Sequence, residues 1–313
     1  VTLAVLLRTN APNALLVVPA LVFGLSYLPI GSLVRARWSY LFDGKPELAT
    51  ALSVESVLDE LIFVVGPLIA TVLATQVEPV TVLYVGVALV VGGSFWLAAL
   101  RGTEPPPHPR PETGHVSALR TRGMVVITIA TAAMGATFAS AEVSMVAYCG
   151  QHHHRALSGV VLAAMAGGSG VSGLFYGAVD WRSDVLRRFR MQSIVFALLP
   201  IVLLAATNVA TLAIAAFVLG LGIAPCLITA FGLIQQIVPT RALTEGLSWV
   251  GTGINVGYGA GAALVGGIAD HHGAHTAFLV VLAASVPMGL LGLALRVEPS
   301  AVARADRPTP VAP

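Results

Sequence analysis

Charge is scarce in this sequence. Asp, Glu, Lys and Arg together make up 10% of its 313 residues, against roughly 25% in a soluble domain. Such a chain cannot clothe a water-exposed surface, which excludes an ordinary soluble protein. Cysteine is scarcer still. Cys149 and Cys226 lie far apart in apolar runs, so they make neither a disulfide framework nor a metal motif, and read as small buried side chains. No Gly-x-x-x-x-Gly-Lys-Ser/Thr loop occurs, so ATP-driven chemistry has no seat here, and the glycines from Gly251 onward lie inside an apolar segment rather than after a strand. No Ser/His/Asp or His-Glu-x-x-His set supports an enzyme. A net charge of +2 gives no reason to expect a nucleic-acid partner. No cofactor and no metal site is expected.

Apolarity is what the chain has. Hydrophobic residues make up 56% and the mean hydropathy is +0.86. A bilayer crossing takes roughly 20 apolar residues as a helix. Nine segments qualify: Ala11–Val34, Leu52–Thr75, Pro79–Leu100, Gly123–Cys149, Ala156–Val179, Phe189–Ala206, Val209–Val238, Glu245–Ala269 and Ala274–Leu295. The expected fold is therefore an all-α polytopic membrane bundle of about nine transmembrane helices. Interior prolines such as Pro67, Pro225 and Pro287 fit this solvent, where neighbouring helices satisfy freed backbone groups.

The basic residues test that count. Cytoplasmic loops carry the excess of Lys and Arg. With nine crossings, one side receives Arg35, Arg37 and Lys45, then Arg101, Arg110, Arg120 and Arg122, then Arg182, Arg187, Arg188 and Arg190, then Arg241, and finally Arg296, Arg304 and Arg307. The other side receives only Arg8 and Arg155. A wrong count would scramble this partition, so the C-terminus is expected in the cytoplasm. The Pro-rich stretch 101–122 reads as a cytoplasmic linker between a partial bundle, 1–100, and a six-helix bundle, 123–296. The Pro/Ala-rich tail, 297–313, reads as disordered.

A faint internal repeat supports two halves. Phe23-Gly24-Leu25-Ser26-Tyr27-Leu28-Pro29 parallels Leu219-Gly220-Leu221-Gly222-Ile223-Ala224-Pro225, and at nearly the same offset Leu52-Ser53 parallels Leu247-Ser248 and Gly66 parallels Gly261. Six spans separate the copies. Two six-helix halves in one orientation resemble the build of the major facilitator superfamily. The resemblance covers the whole chain and implies that its first complete span corresponds to the family's fourth helix. It also implies that about 75 residues, the length of three spans, precede Val1. A misassigned start, or a truncated remnant that does not transport, is the alternative expectation.

The resemblance implies a function and a set of positions. The function is secondary active transport of a small organic solute at the plasma membrane, by alternating access, as proton-coupled efflux. The partners are lipid, the solute and protons. Gly173, Gly177, Asp180, Arg182, Arg187 and Arg188 are similar to the weaker copy of the family's Gly-rich, Asp, Arg-rich loop, a charge latch, although Asp180 comes early. Gly66-Pro67 match the centre of an antiporter motif whose later glycines are replaced by Ala70 and Thr71. The glycines Gly257 and Gly261 belong to a run suited to close helix packing.

Ionisable groups inside a span are expensive and mark sites. Glu142 stands out, within Phe138-Ala139-Ser140-Ala141-Glu142-Val143-Ser144, because a desolvated carboxyl group favours its neutral form and so suits a proton carrier. Glu55 and Asp59 share a helix face at i, i+4, with Arg35 and Arg37 as expected partners in a gating ion network. Tyr27, Gln235, Gln236, Asn255 and Tyr258 are the remaining polar candidates for a solute site. The runs His152-His153-His154 and His271-His272 with His275 read as interfacial loops rather than metal sites.

Overall fold

The computed structural model describes residues 30–42, 45, 47–105, 117–179, 181–239 and 242–297, with the isolated positions 18 and 22. Ten α-helices occur there, and no strand. They are α1 (Ile30–Leu41), α2 (Glu47–Gln76), α3 (Pro79–Ala99), α4 (Met124–Gln151), α5 (Ser158–Ala178), α6 (Val185–Leu198), α7 (Val209–Gly220), α8 (Ile223–Ile237), α9 (Leu243–His272) and α10 (Ala274–Ala294). The chain divides into two compact units, Val1–Arg110 and Pro111–Pro313.

Among the described residues six stretches are long and apolar enough to cross a membrane: Pro79–Ala99, Met124–Gln151, Arg155–Ala178, Val185–Ala205, Val209–Ile237 and Ala274–Ala294. Each coincides with an expected span. The count of nine is not reached, for three different reasons. The expected span Ala11–Val34 lies largely outside the described residues. The span Leu52–Thr75 falls within α2, whose first half carries Glu47, Glu55, Asp59 and Glu60, so only Val65–Gln76 is a sustained apolar run. The span Glu245–Ala269 falls within α9, which has the length to cross at 30 residues, but glycines and Asn255 dilute its hydropathy.

In the first unit, α3 starts on Pro79, which fits the first helical position because its missing N–H would have no partner there anyway. The helix is apolar on every side and none of its residues is buried. Leu89, Phe95 and Trp96 are each at least 70% exposed, which only hydrocarbon could tolerate.

The second unit has a dense core around the fully buried Tyr148, Phe189, Phe196 and Phe278. Its buried hydroxyls cause no polar debt, because each bonds a carbonyl: Thr131 to Thr128 at 3.0 Å, Ser144 to Ser140 at 2.6 Å, Ser193 to Phe189 at 2.8 Å, and Ser285 across to Ala197 at 2.8 Å. Cys149 and Cys226 are free and buried, as expected.

Small residues set the helix pairing. A Cβ placed at Gly253 would meet the Thr128 carbonyl, one at Gly257 the Ala132 carbonyl, and one at Gly261 the Ala136 carbonyl. Gly135 returns the contact against the Ile254 carbonyl. Residue numbers rise together on both helices, so α4 and α9 run parallel, backbone against backbone. Likewise α5 runs parallel to the stretch that holds α7, with Gly168 against Phe217 and, further along both, Gly173 against Ala224, while Gly289 and Gly292 let α10 lie antiparallel on Ala197 and Ser193 of α6.

One expected span crosses as a single stretch, Val209–Ile237, with an irregular turn inside it. Val209–Val238 forms α7 and α8 with that turn at Leu221-Gly222, where a Cβ on Gly222 would sit 2.5 Å from Leu199 Cδ1. Helix α7 opens on a capping box in which the Asn208 side chain accepts the Thr211 N–H at 2.9 Å and the Thr211 hydroxyl accepts the Asn208 N–H at 3.0 Å. The expected span Phe189–Ala206 starts earlier, at Val185, and ends as a 3₁₀ turn over Leu199–Ala205.

Candidate functional site

Glu142 lies well inside α4, a membrane-length helix. Its carboxylate accepts a hydrogen bond from the hydroxyl of Tyr258 on α9. Among the described residues no Lys, Arg or His forms an ion pair with it. Phe138, one turn before Glu142 on the same face of α4, brings its ring centroid to 6.2 Å from that of Tyr258, with the planes tilted by 43°. A carboxylate, a phenol and a phenyl ring thus converge from two helices. The convergence follows from the glycine contacts, which bring the two backbones close enough for short reaches between side chains.

Helix α9 shows why this patch is unsuited to lipid. Ser248, Thr252, Asn255 and Tyr258 recur at helical spacing and are exposed. Val256, Ala260 and Leu264 form a second exposed stripe, with Val256 at 65% and Leu264 at 66%. Gly253, Gly257 and Gly261 face α4. The apolar stripe suits hydrocarbon. The polar stripe does not, because lipid offers its groups no partner, so it belongs against a cavity or against protein. Further polar pins hold the pair along its length: Ser140 donates to the Gly261 carbonyl at 3.3 Å, Gln151 donates to the Ala269 carbonyl at 3.4 Å, and the same Gln151 side chain accepts the Ala274 N–H at 3.1 Å.

The other expected positions fall elsewhere. Gln235 and Gln236 sit near the end of α8, and no hydrogen bond among the described residues joins them to Glu142 or Tyr258. Asn255 is exposed one turn before Tyr258. Tyr27 and Asp180 lie outside the described residues. Arg35 lies in α1 and Asp59 in α2, and their side chains are not among those described. Arg37 donates to the Leu100 carbonyl at 2.8 Å and to the Thr103 hydroxyl at 3.0 Å, not to Glu55. Glu55 is buried, with Oε1 3.9 Å from where a Gly31 Cβ would stand. At Gly66, next to Pro67, an added Cβ would meet nothing within 4 Å.

The basic turn between α5 and α6 is organised by aromatics. Arg188 donates to the Tyr176 hydroxyl at 3.3 Å and stands 5.8 Å from the Trp181 ring centre. Trp181 donates to the Tyr176 carbonyl at 2.9 Å and stacks on its ring. Arg182 and Arg187 are exposed, and among the described residues no ion pair engages them. A cavity of about 340 Å³ opens beside this turn, between Phe175, Tyr176 and Trp181 on one side and Leu221 and Pro225 on the other. The histidine runs serve packing: His152 stacks on Tyr148 at 4.1 Å and His275 meets it edge-on at 5.9 Å. No cluster of metal-ligating side chains occurs among the described residues.

Sequence reading singled out Glu142 and Tyr258 separately and passed over Phe138. The i, i+4 spacing of Phe138 and Glu142 was the one available signal. Their meeting with Tyr258, more than a hundred residues away, had none.

The family profile described as Major Facilitator Superfamily matches residues 127–313. No curated protein matches the chain. The matched region covers more than half of the sequence and runs from Ile127, near the start of α4, through α10, taking in five of the six membrane-length stretches except for the first three residues of Met124–Gln151. The chain belongs to the Major Facilitator Superfamily, whose members are membrane transporters.

Proposed function

We propose that this chain is a proton-coupled secondary transporter that exports a small organic solute across the plasma membrane by alternating access, with Glu142 as the proton carrier and the C-terminus in the cytoplasm. One observation carries the reading: a carboxylate inside a membrane-length helix, held by a hydroxyl and without an ion-pair partner among the described residues. A bare charge there is costly, by roughly 2.5 kcal/mol or more at mid-bilayer. Taking up a proton removes that penalty, and a neutral carboxyl group can still bond Tyr258. Protonation therefore changes the energy of exposing this surface, which is what coupling requires. The distribution of Lys and Arg supports the orientation. The basic turn at Arg182, Arg187 and Arg188 is the corresponding gating element, with Arg188 steadied by Tyr176 and Trp181.

The test is solute flux in proteoliposomes under an imposed pH gradient. Glu142→Gln, which keeps shape and hydrogen-bonding capacity, abolishes pH-driven flux, whereas Glu142→Asp retains part of it. Wild-type flux in Glu142→Gln would remove Glu142 from the coupling step.

A further inference from the structure

We infer that the patch formed by Glu142, Tyr258 and Phe138 binds a monovalent, lipophilic organic cation. This rests on Glu142 being a working carboxylate of the site and goes further, to the chemistry of the solute. Three observations point the same way. The patch holds one negative charge and no basic group pairs with it among the described residues, so its field selects for a single positive charge. Two aromatic rings accompany the carboxylate, Tyr258, which bonds it, and Phe138, with centroids 6.2 Å apart and planes inclined at 43°. Aromatic ring faces attract cations.

The third observation concerns what surrounds the patch. Tyr258 is 39% exposed and Asn255 is exposed beside it, so the phenol ring is accessible, backed by Phe138, which is part-buried against the core. The hydroxyl of Tyr258 already occupies one side of the carboxylate, on Oε2. A quaternary phosphonium or tertiary ammonium needs only a charge and aromatic surface, and both are present.

Tetraphenylphosphonium is the probe, with tetraphenylborate as its anion of equal size and shape. Equilibrium binding is measured on the purified full chain in phosphatidylcholine nanodiscs. The expected result is saturable tetraphenylphosphonium binding that Glu142→Gln weakens by roughly thirtyfold or more, as for a charge pair that loses one partner. Phe138→Leu and Tyr258→Leu each weaken it by about three- to thirtyfold. Tyr258→Phe, which keeps the ring, stays within about threefold, a split that a purely structural role of the side chain would not produce. His275→Ala leaves binding unchanged.

Equal binding of tetraphenylborate, or of tetraphenylphosphonium by Glu142→Gln, overturns the assignment. If pH-driven flux still requires Glu142 while tetraphenylphosphonium binding does not, the carboxylate carries protons and the solute is of another class. If Glu142→Gln changes neither flux nor binding, the carboxylate carries neither proton nor cation.

Discussion

Replacing Gly257 with Ala adds one methyl group at the tightest point of the α4–α9 contact. The new Cβ would fall on the Ala132 carbonyl oxygen, with the Ala132 Cα 2.9 Å away. Both obstacles are backbone, so no side chain can swing aside, and the helices must part. Overpacking of this kind costs typically 1–3 kcal/mol. For a bundle of this size each kcal/mol is worth about 2–4 °C, so the unfolding midpoint falls by roughly 3–10 °C. The internal control is Gly259→Ala, two residues on, where an added Cβ meets nothing within 4 Å. That change is neutral, or stabilising by up to about 1 kcal/mol through lower backbone entropy in the unfolded chain. Thermal unfolding of both variants in nanodiscs decides the matter. A midpoint for Gly257→Ala within about 1 °C of that for Gly259→Ala refutes backbone contact between α4 and α9. Parting the helices also draws Tyr258 from Glu142, so Gly257→Ala weakens pH-driven flux even where the protein remains folded.

Other positions give independent tests. Arg188→Ala removes the guanidinium from Tyr176 and Trp181 and costs about 0.5–1 kcal/mol; Trp181 emission, recorded with the other tryptophans replaced, shifts to the red as the ring gains solvent. Glu245→Ala removes the acceptor of Ser117, bonded at 2.9 Å, and of Trp249 at 3.4 Å; trypsin then cuts faster at Arg120 and Arg122, while an unchanged rate would mean that Ser117–Thr121 is held by other contacts. Asn208→Ala dismantles the cap of α7 and lowers stability by about 1 kcal/mol, read as a lower unfolding midpoint. In a background with Cys149 and Cys226 replaced by Ser, a cysteine at His154 reacts with an impermeant maleimide added outside intact cells and one at Arg187 does not; the reverse pattern inverts the topology.

Much of the helical plan was legible because hydropathy and length are local properties. Met124–Gln151 and Ala274–Ala294 match their expected spans to within two residues at each end. The failures have physical causes. The expected span starts at Phe189, yet α6 begins at Val185 and takes in Arg187 and Arg188, since long basic side chains can reach the interface from inside a helix. The irregularity at Leu221-Gly222 lies four residues before Pro225, which has no N–H to offer the Leu221 carbonyl. Glu142 was legible as a charge in an apolar run. Its bond to Tyr258 and the ring of Phe138 were not, because tertiary packing creates them. Arg37 spends two of its five donors on the Leu100 carbonyl and the Thr103 hydroxyl, partners that charge patterning does not point to.

The glycines of α9 have a further consequence. Gly253, Gly257 and Gly261 recur every four residues, and so do Thr128, Ala132 and Ala136 opposite them. Two combs of equal pitch fit in more than one register. Sliding α9 by one tooth, about 6 Å at 1.5 Å per residue, would seat Gly257 where Gly261 now lies, with little steric difference over the shared teeth. At the ends of the combs the fit fails, because Trp249 would come to the place of Gly253, against the Thr128 carbonyl. The bond between Glu142 and Tyr258 would be lost as well, whereas Ser140 and Gln151 bond backbone carbonyls that recur every four residues. The comb keeps these two helices close, and a bulky end and one side-chain bond tell them where to stop.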